Sequence, residues 1–183
     1  MKSINKITAL NIGSTVLLQG IAFFTTPIFT RVLGSEQFGI YAVFHSWVSI
    51  LTCVMGGGVS NTLGTGRYQF KESYYEFRSS ILLFGTVISL GLISIILLLI
   101  VPVSRILNYN ILMILLVVLS ALGQYVVNFV QNAYIYEKKA ELNFILSVTL
   151  SITTVVLSLI LIPLFTSENK YKGRILGTCI PYI

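Results

Sequence analysis

The sequence contains no aspartate, one histidine and only six glutamates, so acidic groups for chemistry are scarce. All six glutamates lie in the polar stretches between apolar runs. General acid–base pairs and metal sites need clustered ligands at fixed spacings, and the sequence shows no such cluster. Cys53 and Cys179 lie in apolar segments without a CxxC pattern, which argues against a disulfide or a metal site. An enzyme is therefore the least favoured class, and we expect no metal or cofactor.

Charge is also scarce along the whole chain. Charged residues make up 10% of the 183 residues and hydrophobic residues 55%, with a mean hydropathy of +0.89. Soluble domains carry about 25% charged residues, so the composition indicates a polytopic membrane protein. The formal charge of +6 comes from basic residues at the boundaries of apolar segments. Such residues orient helices against membrane lipids, so we expect lipids and not nucleic acid as partners.

Apolar runs long enough to cross a bilayer recur along the chain. A helix needs about 20 apolar residues to cross a hydrocarbon core about 30 Å thick. The pattern predicts an all-α polytopic transmembrane bundle with five complete spans, at about residues 7–29, 38–61, 80–101, 111–136 and 144–165, and a truncated sixth at 174–183. The sixth has nine uncharged residues after Arg174, which make at most about 14 Å of helix. We therefore expect the chain to be a fragment.

The basic residues favour a cytoplasmic amino terminus. In that orientation the inside segments hold seven of them, namely Lys2, Lys6, Arg67, Lys71, Arg78, Lys138 and Lys139. The outside segments hold five, namely Arg31, Arg105, Lys170, Lys172 and Arg174. An excess of lysine and arginine marks the cytoplasmic side of a membrane protein.

Three predicted spans carry polar residues along one helical face. Residues three or four apart share a face of a helix. The faces consist of Asn11, Thr15 and Gln19; of Gln124, Asn128 and Gln131; and of Ser147, Ser151, Thr154 and Ser158. Polar groups are costly in hydrocarbon, so these faces should not meet lipid. They either line a shared hydrophilic cavity suited to sugar hydroxyls or form interhelical hydrogen bonds, worth about 0.6 kcal/mol each.

The second span has a polar face of its own and ends in glycines. His45, Ser49, Thr52 and Gly56 share this face, and Gly56, Gly57 and Gly58 are consecutive. Three glycines predict either a tight packing point or a hinge, because glycine weakens a helix and permits close approach. The polar connector at residues 62–79 is rich in aromatic and charged residues, which predicts a short interfacial helix.

Two titratable residues, Arg31 and His45, are further candidates for residues that line a substrate path. Arg31 could pair with phosphate oxygens in a bidentate manner, or extend to the headgroups with Glu36 as its local partner. His45 could titrate in a coupling step, or act as a hydrogen-bonded packing residue. The candidate residues are Arg31, Gln19, His45, Gln124, Asn128, Gln131 and Ser151.

The junction of the first two spans resembles a known family. Pro27 precedes the pattern T-R-x-L-G-x-x-x-F-G-x-Y, formed by Thr30, Arg31, Leu33, Gly34, Phe38, Gly39 and Tyr41. This junction resembles the start of the bacterial polysaccharide flippases, the O-antigen and teichoic-acid-type exporters of the multidrug/oligosaccharidyl-lipid/polysaccharide superfamily. The segment GRILGTCIPYI at residues 173–183 is similar to the glycine-rich opening of that family's sixth helix.

The resemblance implies an amino-terminal bundle of a two-bundle, alternating-access flippase in the bacterial plasma (inner) membrane. Its implied substrate is an undecaprenyl-diphosphate-linked oligosaccharide, an O-antigen (lipopolysaccharide) or capsule-type repeat unit, bound near the membrane midplane. Other polysaccharide-assembly membrane proteins are implied partners. Two alternatives remain open. One is a cation-coupled drug exporter of the same superfamily, which should carry carboxylates inside its spans. The other is a non-transporting membrane scaffold subunit.

Overall fold

The computed structural model describes the backbone of residues 2–70, 73–107 and 109–183. That description does not include some side chains within the helices, namely those of residues 2–11, 14, 15, 17, 18, 22, 59–61 and 107. Within these limits the chain is 89% helical and contains no strand. The predicted all-α fold class is therefore confirmed.

Eight α-helices are found in the described part of the chain. They are α1 (Lys2–Leu33), α2 (Ser35–Gly56), α3 (Val59–Gln69), α4 (Tyr74–Leu98), α5 (Ile100–Leu107), α6 (Ile111–Tyr136), α7 (Ala140–Leu161) and α8 (Lys170–Cys179). Short 3₁₀ turns follow α7 at Ile162–Leu164 and α8 at Ile180–Tyr182.

Four segments among the described residues are long and apolar enough to cross a membrane. They are Ser35–Gly56, Tyr74–Leu98, Ile111–Tyr136 and Ala140–Leu164. The chain is thus a multi-pass membrane protein. The predicted first span, 7–29, lies within α1, and many of its side chains are outside the description. The predicted sixth, 174–183, falls in α8 and the turn after it. The count of five spans and a truncated sixth therefore stays a prediction.

The predicted end of the second span, at residue 61, is wrong. The helix α2 ends at Gly56, and α3 begins at Val59. Between them Gly57 and Gly58 have φ angles of 50° and 71°. Glycine adopts this left-handed conformation without steric cost because it lacks a Cβ atom. The three glycines therefore end one helix and allow the next to start in a new direction.

The boundaries of the third span and its preceding connector also differ from the prediction. The helix α4 begins at Tyr74, six residues before the predicted start, and ends at Leu98. The connector at residues 62–79 is mostly helical, since α3 continues to Gln69. Two of its aromatic side chains, Phe70 and Phe77, stack with their ring centroids 4.7 Å apart.

The chain divides into two compact units. Unit 1 comprises Met1–His45 and Glu137–Ile183, and unit 2 comprises Ser46–Tyr136. In unit 1, α7 packs against both α1 and α8. Its core contains Phe29, Leu33 and Ile162. In unit 2, α3 packs on α4 and α6. The core there contains Leu63, Phe129 and Ala133.

The side chain of Gln37 connects the start of α2 to the segment that leads into α8. Its Nε2 donates a hydrogen bond to the carbonyl of Ser167. Its Oε1 accepts one from the backbone N–H of Tyr171 at 3.1 Å. One carboxamide thus binds a carbonyl of the turn before α8 and an N–H of the first turn of α8, where the N–H groups lack intrahelical partners.

Close contact between α7 and α8 depends on Gly177. A Cβ atom at this position would lie 2.5 Å from Ser158 Oγ and 2.6 Å from the backbone nitrogen of Ser158. Backbone atoms of a helix cannot move aside as a flexible side chain can. The small residue therefore sets the distance between the two helices, as is common in membrane helix packing.

We predict that Gly177→Ala lowers the free energy of unfolding by about 1–3 kcal/mol, because overpacking separates α7 from α8. Thermal unfolding of the purified protein in detergent measures the change. The control is Gly91→Ala in α4, where no atom lies within 4 Å of the added carbon. Alanine at an open helical position stabilises by up to about 1 kcal/mol. Equal midpoints for the two variants would contradict the close-contact interpretation.

Candidate functional site

A cavity of about 300 Å³ lies in unit 2, between the carboxyl-terminal part of α2 and the middle of α6. It is lined by Ser49, Thr52, Cys53, Gly56, Gly58, Gln124, Tyr125 and Asn128. None of these residues is charged. The volume is at the lower end of the range for small-ligand sites. The lining offers hydroxyl and carboxamide groups beside an aromatic ring.

Helical spacing explains why these residues meet. Ser49, Thr52 and Gly56 are three and four residues apart on α2. Gln124 and Asn128 are four residues apart on α6. Each set therefore shares one face of its helix. The sequence predicted both faces, and the structure brings them together around one cavity.

The hydroxyl of Thr52 connects the two walls of the cavity. Its Oγ1 lies 2.8 Å from the carbonyl of Val48 in its own helix. It also lies 3.2 Å from Gln124 Oε1 and 3.4 Å from the carbonyl of Ala121, both in α6. One hydroxyl proton serves one acceptor at a time. The contact with Gln124 is thus one of several alternatives, and a ligand hydroxyl can replace it.

Tyr125 forms a rigid part of the cavity wall. The side chain is only 3% exposed. A Cβ atom at Gly56 would lie 3.4 Å from its ring, and one at Gly85 would overlap its hydroxyl oxygen. Gly85 is therefore needed for the ring to occupy this position, whereas the contact at Gly56 is ordinary packing. The Tyr125 hydroxyl is buried and has no hydrogen-bond partner among the described residues.

Unit 1 contains a buried cation, Arg174, in the middle of α8. It is 9% exposed. Its guanidinium carbon lies 3.6 Å from the ring centroid of Phe29 and 4.9 Å from that of Tyr41. Its Nη1 donates a hydrogen bond to Ser158 Oγ at 2.7 Å, and that hydroxyl donates to the carbonyl of Thr154 at 2.6 Å. Arg174 Nε has no partner in the described part of the chain.

Residues 5–183 match the family model described as polysaccharide biosynthesis protein. The chain belongs to this family. Over 91 residues it is also 30% identical to the succinoglycan biosynthesis transport protein ExoT of Rhizobium meliloti (strain 1021). That alignment covers 48% of this chain and 18% of the relative, so the match takes in less than a fifth of the relative's length. No solved structure matches the chain significantly.

The family resemblance predicted from the sequence is thus confirmed. The two sequence segments on which it was based can be located in the structure. Tyr41, the last residue of the pattern at the first junction, contacts Arg174. Arg174 belongs to the second similar segment, at residues 173–183. The structure therefore brings together two stretches that resemble the family from opposite ends of the chain.

Of the predicted site residues, Gln124 and Asn128 line the cavity of unit 2. Gln131 is half-buried further along α6 and is not part of the lining. Ser151 is half-buried in α7 of unit 1. The faces that hold these residues lie in both units, so one cavity shared by all of them stays a prediction.

The remaining predicted residues lie in unit 1. Gln19 is exposed and lines an open groove of about 520 Å³ with Gly20, Phe23 and Thr26. The side chains of Asn11 and Thr15, predicted on the same face as Gln19, are outside the described residues. His45 is exposed, with its ring centroid 6.1 Å from that of Tyr41.

Arg31 is exposed in the last turn of α1. Glu36, its expected local partner, is also exposed. Both side chains are described, and no ion pair joins them in that part of the structure.

Sequence reasoning missed the role of Arg174. It was counted with the basic residues at span boundaries, but it is buried among aromatic rings and cannot contact headgroups there. One signal was available: Ser158, its hydrogen-bond partner, lies on the predicted polar face of α7. That face indicated a polar partner within the protein but not its identity.

We predict that Arg174→Lys lowers the free energy of unfolding by about 1–2 kcal/mol. Lysine keeps the charge but lacks the planar group that stacks on Phe29 and donates to Ser158. Thermal unfolding in detergent measures the loss. Arg105→Lys, at an exposed arginine, is the matched control and should change the midpoint little. An unchanged midpoint for Arg174→Lys would show that the stacked geometry contributes no stability.

Proposed function

We propose that this chain is part of an exporter that moves a lipid-linked oligosaccharide across the bacterial inner membrane during polysaccharide biosynthesis. The observation that carries the proposal is the uncharged cavity lined by hydroxyl and carboxamide groups in a multi-pass member of the family. The name of the relative from Rhizobium meliloti, a transport protein, supports an exporter over an enzyme.

The chemistry of the cavity suits the glycan part of such a substrate. A sugar carries several hydroxyl groups, each both a donor and an acceptor. Removing them from water without replacement partners is costly. Thr52, Gln124 and Asn128 supply such partners within predominantly apolar helices. Sugar-like groups can thereby leave water without leaving their hydrogen bonds unmade.

The lipid-linked end of the proposed substrate carries a diphosphate, for which Arg31 is the candidate partner. Arg31 is exposed at the carboxyl-terminal end of α1. A guanidinium binds phosphate oxygens through two parallel hydrogen bonds, and its charge offsets part of the cost of moving the anion out of the headgroups. An O-antigen or capsule-type repeat unit would be the glycan, and other polysaccharide-assembly proteins would supply and receive it.

We predict that Arg31→Ala reduces surface polysaccharide at least tenfold when the gene, deleted from its host, is restored in this form. Arg31→Lys should retain part of the activity, because the charge remains but the bidentate geometry is lost. Surface polysaccharide is measured by antibody or lectin binding, and membrane content of the protein by immunoblot.

The control for this experiment is Arg105→Ala, which removes an exposed arginine of α5 and should leave export unchanged. Normal surface polysaccharide with Arg31→Ala would show that Arg31 contacts lipid headgroups and does not bind the substrate. Normal surface polysaccharide in the gene deletion itself would overturn the exporter proposal.

We also predict a cytoplasmic amino terminus, which places Ser73 inside and Asn110 outside. Single cysteines at these positions, introduced with Cys53→Ser, report the topology, because α4 lies between them and Cys179 is buried. A membrane-impermeant maleimide should label Asn110→Cys but not Ser73→Cys in intact cells. The opposite labelling pattern would invert the orientation.

A further inference from the structure

We propose that the cavity between α2 and α6 selects its ligand by charge: it binds an uncharged, hydroxyl-bearing sugar and disfavours one that carries a carboxylate. This inference rests on the proposed function and names the class of sugar that the site takes. The inference concerns the cavity alone, so an experiment can contradict the charge selectivity without contradicting the exporter proposal.

The first support is that none of the eight described lining residues is charged. The lining residues offer the Ser49 and Thr52 hydroxyls and the Gln124 and Asn128 carboxamides, and no cation. An anion that enters a partly desolvated site gives up hydration and needs a paired cation in return. A neutral hydroxyl needs only a donor or an acceptor, and this wall supplies both.

Two helix ends also adjoin the cavity, and their partial charges bear on whether an anion binds there. The carboxyl-terminal end of α2 at Gly56 carries partial negative charge, and the amino-terminal end of α3 at Val59 carries partial positive charge. Gly58, which lines the cavity, lies between them. The two ends have opposite signs and adjoin the same glycines, so they act on an anion in opposite directions. The side chains therefore decide the selectivity.

Gln124 is the residue best placed to recognise a hydroxyl group. Its Oε1 is 3.2 Å from Thr52 Oγ1, a hydroxyl that already has a shorter contact at 2.8 Å with Val48. A ligand hydroxyl can therefore take over the Gln124 carbonyl while Thr52 keeps its bond to Val48. The neighbouring ring of Tyr125 is 3% exposed and lies against Gly85, where a Cβ atom would not fit, so this part of the wall is preorganised by packing.

Cys53 provides a built-in reporter of occupancy. It lines the cavity and is exposed, whereas Cys179, the other cysteine, is 1% exposed. A maleimide should therefore modify Cys53 first, and a sugar in the cavity should slow that reaction. Cys53→Ser establishes the background rate.

The experiment uses the whole chain in lipid nanodiscs, free of glycoside detergents. Two probes are compared, methyl glucoside and methyl glucuronoside, which differ in a single carboxylate. Methyl glucoside should slow N-ethylmaleimide labelling of Cys53 at least threefold, with half-maximal protection at a concentration at least tenfold lower than for methyl glucuronoside. Saturation-transfer NMR on the same samples detects binding independently of the cysteine.

Two variants separate recognition from general effects on the helix. Gln124→Leu should abolish protection by methyl glucoside while leaving the unprotected labelling rate within twofold. Asn132→Leu removes another carboxamide of α6, one that bonds the backbone carbonyl of Asn128 and does not line the cavity. It should keep the protection.

Equal or stronger protection by methyl glucuronoside would overturn the selection by charge and would assign the dominant effect to the amino terminus of α3. If neither sugar protects Cys53 and neither gives an NMR signal, the cavity is not a sugar site. The export measurements on the gene deletion test the proposed function separately, so either result leaves that proposal to its own experiment.

Discussion

The constraint that shapes this protein is that a polar group removed from water inside a membrane needs a partner within the protein. Ser158, which is fully buried, donates to the carbonyl of Thr154 and accepts from Arg174. Ser89, also fully buried, contacts the carbonyls of Gly85 and Met55. In both cases the bond within the helix is supplemented by a contact to another helix. Polar residues therefore determine which helical faces meet.

Small residues make these polar contacts geometrically possible. Without a Cβ at Gly177, α8 approaches the backbone of α7 closely enough for Arg174 to reach Ser158. In unit 2 the effect of a small residue is steric: Gly85 leaves room for the hydroxyl of Tyr125, whose ring lies beside the cavity. In a bilayer, lipid tails compete with apolar side chains for contact, so close backbone approach contributes more to helix association than hydrophobicity does. The glycines thus hold both polar clusters in place.

The two units carry different chemistry. Unit 1 places a cation between two aromatic rings, where its charge is balanced by ring faces and a hydroxyl. Such stacking gains strength when the cation is desolvated. Unit 2 contains a cavity whose described lining residues are all uncharged. The proposed substrate has a hydroxyl-rich glycan, which suits the uncharged groups of unit 2. Its anionic lipid-linked end has the exposed Arg31 of unit 1, not the buried Arg174, as its candidate partner. This match makes the exporter proposal chemically consistent for a member of the polysaccharide biosynthesis family.

The sequence by itself determined the helical class, the membrane location, the family and the polar faces of α2 and α6, because these follow from composition, short motifs and the 3.6-residue period. It did not determine that α2 stops at Gly56, since a run of glycines can either pack or break a helix. Nor could it pair Arg174 with Phe29 and Tyr41, which lie more than 130 positions away in the chain. Periodicity reveals which face of a helix is polar, but only tertiary packing decides which face it meets. Tertiary packing buries Arg174, which the sequence placed at a span boundary, and brings the polar faces of α2 and α6 together around a cavity.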